Sequence, residues 1–202
     1  MSATVYDFGG GLYLNITNKC PCACHFCIRN FTDGLGDADS LFLDHEPSVK
    51  EVLEELEKWP VTKYDELVFC GYGEPTERLD ALIEIAKFVR AKYMGKDSRL
   101  KTIRLNTNGL ADLINGKPTA HMLEGVIDSI SISMNEADAE KYYELCEPVF
   151  GLKSYDAIFD YIRDVKQYVP HVASSVVGVI SSQSIEICRK KAQELGIDFR
   201  VR

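Results

Sequence analysis

No stretch of this chain approaches the length of apolar sequence that a membrane-spanning helix needs, so none is expected. Basic charge is also in deficit: 23 Lys and Arg stand against 31 Asp and Glu, a formal net charge of −8. An acidic surface is poorly suited to tracking a phosphate backbone, which disfavours nucleic acid as a partner, a local basic patch aside. The opening residues MSATVYDFGG have neither a basic n-region nor an apolar h-region, so no secretory signal is read. Repeats, low-complexity tracts and Pro/Gly-rich linkers are missing too. With 46% hydrophobic residues the chain can bury one good core, and a single domain over residues 1–202 is the simplest organisation.

Cysteine is not scarce. Seven of them, an odd number without an export signal, argue for a reducing compartment, the cytoplasm, and against a disulfide framework. Cys70, Cys146 and Cys188 are scattered and read as small buried hydrophobes. The other four crowd into Cys20-Pro21-Cys22-Ala23-Cys24-His25-Phe26-Cys27. A Cys24-x-x-Cys27 redox pair would need a thioredoxin-like context and no third partner. A structural zinc site takes ligand pairs separated by a dozen or more residues. The C-x3-C-x2-C spacing at Cys20, Cys24 and Cys27 suits a third option. Three thiolates hold three irons of a cubane [4Fe–4S] cluster and leave the fourth iron open to an outside ligand. Cys22 fits no ligand role and is read as an extra thiol beside the cluster.

The rest of the chain alternates strand and helix six times. Strands are expected at Leu12 to Thr17, Glu66 to Cys70, Lys101 to Asn106, Asp128 to Asn135, Val172 to Ile180 and Ile197 to Arg202. Ser48 and Glu51 form a capping-box signal before the helical face Val49, Val52, Leu53, Leu56 and Trp59. Further helices are read at Leu79 to Tyr93, Thr119 to Glu124, Ala157 to Tyr168 and Ser184 to Leu195, the last stopped by Gly196. In Asp128 to Asn135, Ser129, Ser131, Ser133 and Asn135 share one face and Ile130, Ile132 and Met134 the other. A strand backed by helices and fronted by a polar cavity reads this way. The expected fold is α/β, an open partial (βα)6 barrel of parallel strands, with its site at the carboxyl ends of the strands.

The cysteine spacing, with aromatic Phe26 before its last member, resembles the radical SAM superfamily, in which S-adenosylmethionine chelates the open iron. Cys70-Gly71-Tyr72-Gly73-Glu74-Pro75-Thr76 resembles that family's GGEP segment, with Tyr72 replacing the first glycine. The resemblance implies that Gly71, Tyr72, Gly73 and Glu74 grip the cofactor's amino group. Asn106-Thr107-Asn108-Gly109 is similar to the TNG segment. Strict alternation turns Arg104, Asn106 and Asn108 inward and Thr107 outward, while the family match favours Thr107. Ser133 and Asn135 correspond to contacts with the cofactor's carboxylate and ribose, and Gly178-Val179-Ile180 to the start of a segment that packs Ile180 on adenine. In that segment Ser182 replaces a glycine and Glu186 is one place late.

The segments YLNITNKC, CIRN, LFLDHEPS, CGYGEPT, LNTNG, SISMNEADAEKYYELCEP and FRVR are similar to radical SAM proteins associated with TatD-type nucleases, a label that says little about substrate. The resemblance implies one-electron cleavage of S-adenosylmethionine to a 5′-deoxyadenosyl radical that abstracts hydrogen from a substrate. It also implies an electron donor such as flavodoxin or ferredoxin, and oxygen sensitivity. No acid or base can be assigned. The substrate is open between a partner protein activated through a glycyl radical, a small molecule enclosed by the Phe31 to Pro47 loop or by a second subunit, and RNA. An iron–sulfur carrier or redox sensor is the non-catalytic alternative. Arg104 is on the cavity-facing register of its strand, and Arg200 and Arg202 share one side of the last strand. The three favour an anionic substrate, the alternative being that internal carboxylates pair with them or that Arg200 and Arg202 point to solvent.

Overall fold

The computed structural model describes residues 2–202. One seven-stranded sheet runs in sequence order: β1 (Val5–Phe8), β2 (Gly11–Leu14), β3 (Glu66–Phe69), β4 (Thr102–Thr107), β5 (Ser129–Ser133), β6 (His171–Val176) and β7 (Asp198–Val201). All neighbours are parallel except β1 and β2, so β1 and β7 are the edges. The helices are α1 (Val49–Leu56), α2 (Leu79–Tyr93), α3 (Ala111–Asn115), α4 (Ala139–Cys146), α5 (Lys153–Val165) and α6 (Ser182–Leu195). Among them none is long and apolar enough to cross a membrane.

The six parallel strands fall where alternation placed them, with shifted ends. Strand β1 is an addition. Gly9 and Gly10 both adopt positive φ (59° and 85°), the backbone a two-residue hairpin turn requires, and they fold Val5–Phe8 back onto β2. Strand β6 stops at Val176 rather than at residue 180, because the chain must turn into α6, capped by Ser181 accepting from the Ser184 amide. The segment read as a helix at Thr119 to Glu124 is one 3₁₀ turn, Ala120–Leu123. The short α4 carries no long apolar stripe. Its start is set by Asp138, whose carboxylate accepts from the Lys141 amide at 2.9 Å.

Strand register sorts side chains into two faces. Leu12, Leu14, Leu67, Phe69, Ile103, Leu105, Ile130 and Ile132 face the helices and form the main core with α1, α2 and α5. The other face, called inner here, carries rows fixed by the pairing: Val68 with Arg104 and Ser129; Asn106 with Ser131, Ala173 and Asp198; Ser133 with Ser175 and Arg200. That face is mostly polar, and at its β1–β2 end Tyr6, Tyr13, Leu41 and Tyr72 pack together.

Candidate functional site

The cysteine loop leaves the carboxyl end of β2 and is fastened on two sides. The Ala23 and His25 amides donate to the Cys146 and Leu145 carbonyls at 3.0 and 3.1 Å, and the Val149 amide donates to Pro21 at 2.8 Å. The end of α4 thus serves as a bracket for the loop. On the other side the Glu74 amide donates to the Lys19 carbonyl at 2.8 Å. Gly73 makes this approach possible: a Cβ there would lie 2.3 Å from the Thr17 carbonyl oxygen. Gly71 has the same duty toward Asn15, whose Oδ1 would lie 2.0 Å from an added Cβ.

Within the loop Cys20, Cys24 and Cys27 are half-buried, whereas Cys22 is buried and belongs to the main core. Contact with the Cys20 and Cys24 sulfurs holds the Cys22 thiol above its ordinary value. Cys24 shows the opposite: donor contacts from Cys146, then Cys22, push its thiol down to about 4. Phe26 is half-buried against the core.

Glu74 is 3% exposed. Its Oε1 accepts from the Thr76 amide (3.1 Å), the Thr76 hydroxyl (2.8 Å) and the Thr107 hydroxyl (2.7 Å), and its Oε2 accepts from the Asn108 amide (2.7 Å). Burial raises its pKa against these four donors. The carboxylate therefore staples the end of β3 to the end of β4, and Thr107 is turned to the helix side as strict alternation requires. Asn106 is on the inner face with its Oδ1 buried and without a partner. The Tyr72 ring turns away toward the residue 31–47 loop: it meets Phe42 at 4.8 Å and its hydroxyl donates to the Thr32 carbonyl. The loop is held there by Asn18 and Asn15, which donate to the Leu43 and Leu41 carbonyls, each at 2.7 Å.

At the end of β5, Ser133 accepts from Arg202 Nη2 at 2.9 Å. Asn135 takes a left-handed backbone (φ 61°), which costs a non-glycine residue about 1 kcal/mol or more. Its Nδ2 donates to Cys146 Sγ at 3.5 Å and its buried Oδ1 has no partner. Asn135 thus reaches the sulfur that touches Cys24, joining the strand-five end to the cysteine loop. Ile180 lies in the turn after β6, against Met134 and Val176.

Two sequence expectations need correcting. Arg104 does not supply free charge: its guanidinium pairs with Glu66 at 2.8 Å and donates to the Tyr13 hydroxyl at 3.2 Å. Residues 66 and 104 are diagonal neighbours on the inner face, a relation invisible until the register is known. Cys70, read as a core residue, shares the parity of Val68 and is on the inner face, near Asn106 and within the field of Arg202. Cys146 and Cys188 are fully buried. The tie from Asn135 through Cys146 to the cysteine loop was missed; only the separation of 11 residues between them hinted at it.

Comparison with known proteins follows the same lines. No curated protein matches the chain. A radical SAM methyltransferase from Sphaerobacter thermophilus superposes with a TM-score of 0.60 at 16% identity, covering 98% of this chain and 57% of that one. Methylornithine synthase gives 0.61 at 16%, covering 95% and 52%. SuiB from Streptococcus suis, bound to S-adenosylmethionine, gives 0.58 at 16%, covering 94% and 37%. The chain therefore spans about half or less of the length of these solved structures, and shares their partial-barrel fold. The model of the radical SAM superfamily matches residues 14–184, from the end of β2 into α6, and the chain belongs to that superfamily of enzymes.

Proposed function

We propose that this enzyme binds a [4Fe–4S] cluster through Cys20, Cys24 and Cys27, with S-adenosylmethionine laid along the strand ends beside it. The superfamily uses both groups. The donor set here suits the cluster in kind: three half-buried thiols on one loop, one per iron, with a fourth sulfur buried in the core behind them. When bound, the pair supplies a 5′-deoxyadenosyl radical for hydrogen abstraction. The remaining work belongs to the protein. The loop of Gly71, Tyr72 and Gly73 offers backbone to the cofactor's amino end, while Glu74, its carboxylate engaged by four donors, keeps that loop and Asn108 in place. Asn106, Ser133 and Asn135 form a neutral hydrogen-bonding wall. Phe26 and Ile180 give apolar cover, and Thr107 acts through Glu74.

The observation that carries this reading is the pair of hydrogen-bonded runs that tie three strand ends to the cysteine loop: Lys19 to Glu74 and Glu74 to Asn108 on one side, Asn135 to Cys146 and Cys146 to Ala23 on the other. Such cross-bracing fixes a site that must hold two groups at a set distance. The similarity of the quoted segments supports placing the chain among the TatD-associated radical SAM proteins, as one domain acting in the cytoplasm. Reduction requires an external one-electron donor of the flavodoxin or ferredoxin kind.

The test is anaerobic incubation of reconstituted protein with dithionite and S-adenosylmethionine. We expect 5′-deoxyadenosine and methionine. A protein that carries its full iron content yet never forms 5′-deoxyadenosine would overturn the reading.

A further inference from the structure

With Arg104 discharged by Glu66, the positive charge left on the inner face is Arg200 and Arg202 of β7 and its end. Among the described residues neither is paired with a carboxylate. The register sets Arg200 beside Ser175, and Ser175 beside Ser133. Ser175 is 1% exposed and its Oγ has no partner, so a buried hydroxyl faces this row with its donor unused. Arg202, two residues further on, reaches back across β6 to Ser133 Oγ at 2.9 Å. Phe199, of opposite parity, packs on the helix side with the Arg189 guanidinium 4.8 Å from its ring, which keeps Arg200 on the inner face. Two guanidiniums and a spare hydroxyl thus converge on a protein whose net charge is −8.

We propose that Arg200, Arg202 and Ser175 bind an oxyanion, a carboxylate or phosphate, carried by a small substrate. This rests on the function proposed above. Two like charges on one strand face repel, and the repulsion grows as a substrate displaces water from the inner face. An oxyanion removes it and offers the planar acceptors that a guanidinium fork matches. Ser133, by accepting from Arg202, holds that guanidinium in place, and Ser175 Oγ–H completes the set. Asp198 is one row below Arg200, at the amino end of β7, which confines the positive patch to the carboxyl end where the cysteine loop emerges.

The experiment is anaerobic calorimetric titration of the reconstituted, S-adenosylmethionine-loaded protein with inorganic phosphate and, in a separate arm, with malonate. We expect saturable binding in at least one arm, which also tells phosphate from carboxylate. Arg200→Gln and Arg202→Gln should each weaken it by about tenfold or more, the loss of a charge-assisted hydrogen bond. Arg99→Gln, whose guanidinium pairs with Asp65 before β3, should leave it unchanged. Absence of saturable binding in both arms, or binding undiminished in both variants, overturns the proposal. So does an Arg202→Gln protein that loses S-adenosylmethionine affinity while keeping the anion, since the arginine would then serve the cofactor. Formation of 5′-deoxyadenosine is measured on the same preparations: if it forms and no anion binds, only the anion proposal fails; if it does not form, the function itself does.

Discussion

Burial separates the four sulfurs that lie between residues 20 and 27. Cys22 is 8% exposed and packed in the core, whereas its three neighbours are half-buried at the surface of the loop. Cys22→Ala should therefore keep about four irons per chain, while alanine at Cys20, Cys24 or Cys27 should lower iron content and abolish 5′-deoxyadenosine formation. Iron analysis beside product chromatography decides this, and a cluster lost in Cys22→Ala alone would refute the assignment. Glu74 invites a different measurement. An amide has one acceptor atom where the carboxylate has two, so Glu74→Gln turns an NH₂ toward donors from Thr76, Thr107 or Asn108. Leaving such a donor unsatisfied costs about 1–3 kcal/mol. Guanidinium unfolding should show that loss together with weaker S-adenosylmethionine binding; an unmoved midpoint would mean that the staple carries no stability.

The connections between elements depend on what a single position can fit. Gly73 passes the Thr17 and Lys19 carbonyls at distances that a Cβ would reduce to 2.3 and 2.6 Å, and both obstacles are backbone. Neither can swing aside as a side chain can. Gly73→Ala should therefore push the β3 end away from the cysteine loop, with a stability cost of about 1–3 kcal/mol and reduced cluster retention after gel filtration. Full stability and full iron in this variant would show that the contact is dispensable. The sequence displayed the glycine but gave it to the cofactor, because backbone approach to a ligand and to another loop leave the same residue type. Alternation likewise read Thr107 outward correctly. The partner that holds it, Glu74, is 33 residues away in sequence and became visible only with the register. Helix α4 escaped notice for a related reason: at eight residues it is stabilised by its cap and by bracing the cysteine loop, neither of which is a periodic signal.

Across the whole molecule, the parallel order of β2 to β7 was legible because each strand alternates or is continuously apolar and each but β7 is followed by helix signals. The added β1 was passed over although Gly9-Gly10 between alternating segments signals a hairpin. What no periodicity could show is how unevenly the two ends of the sheet are supported. The main core draws on α1, α2 and α5 and covers β2 through β5. Beyond β6 a small separate cluster of Met134, Ala137, Val176 and Cys188 backs α6, and β7 is an edge strand whose residues are mostly exposed. Local opening free energies follow buried apolar contact, so the β7 and α6 end should open below the global unfolding energy while β3 to β5 open only with it. Native-state hydrogen exchange measures this directly: amides of Val68, Leu105 and Ile130 should exchange last, and those of Phe199 and Val201 many-fold sooner. Uniform protection across the sheet would contradict the division into two supports. The same gradient bears on the anion proposal. Arg200 and Arg202 are carried by the least supported strand end, so an oxyanion bound between them and Ser175 ties that edge back to β6. Added phosphate or malonate, whichever binds, should slow exchange at Phe199 and Val201 and also at Val68 and Leu105, because the local opening of β7 and global unfolding both release the ligand; slowing at Val68 and Leu105 alone would place the anion away from β7.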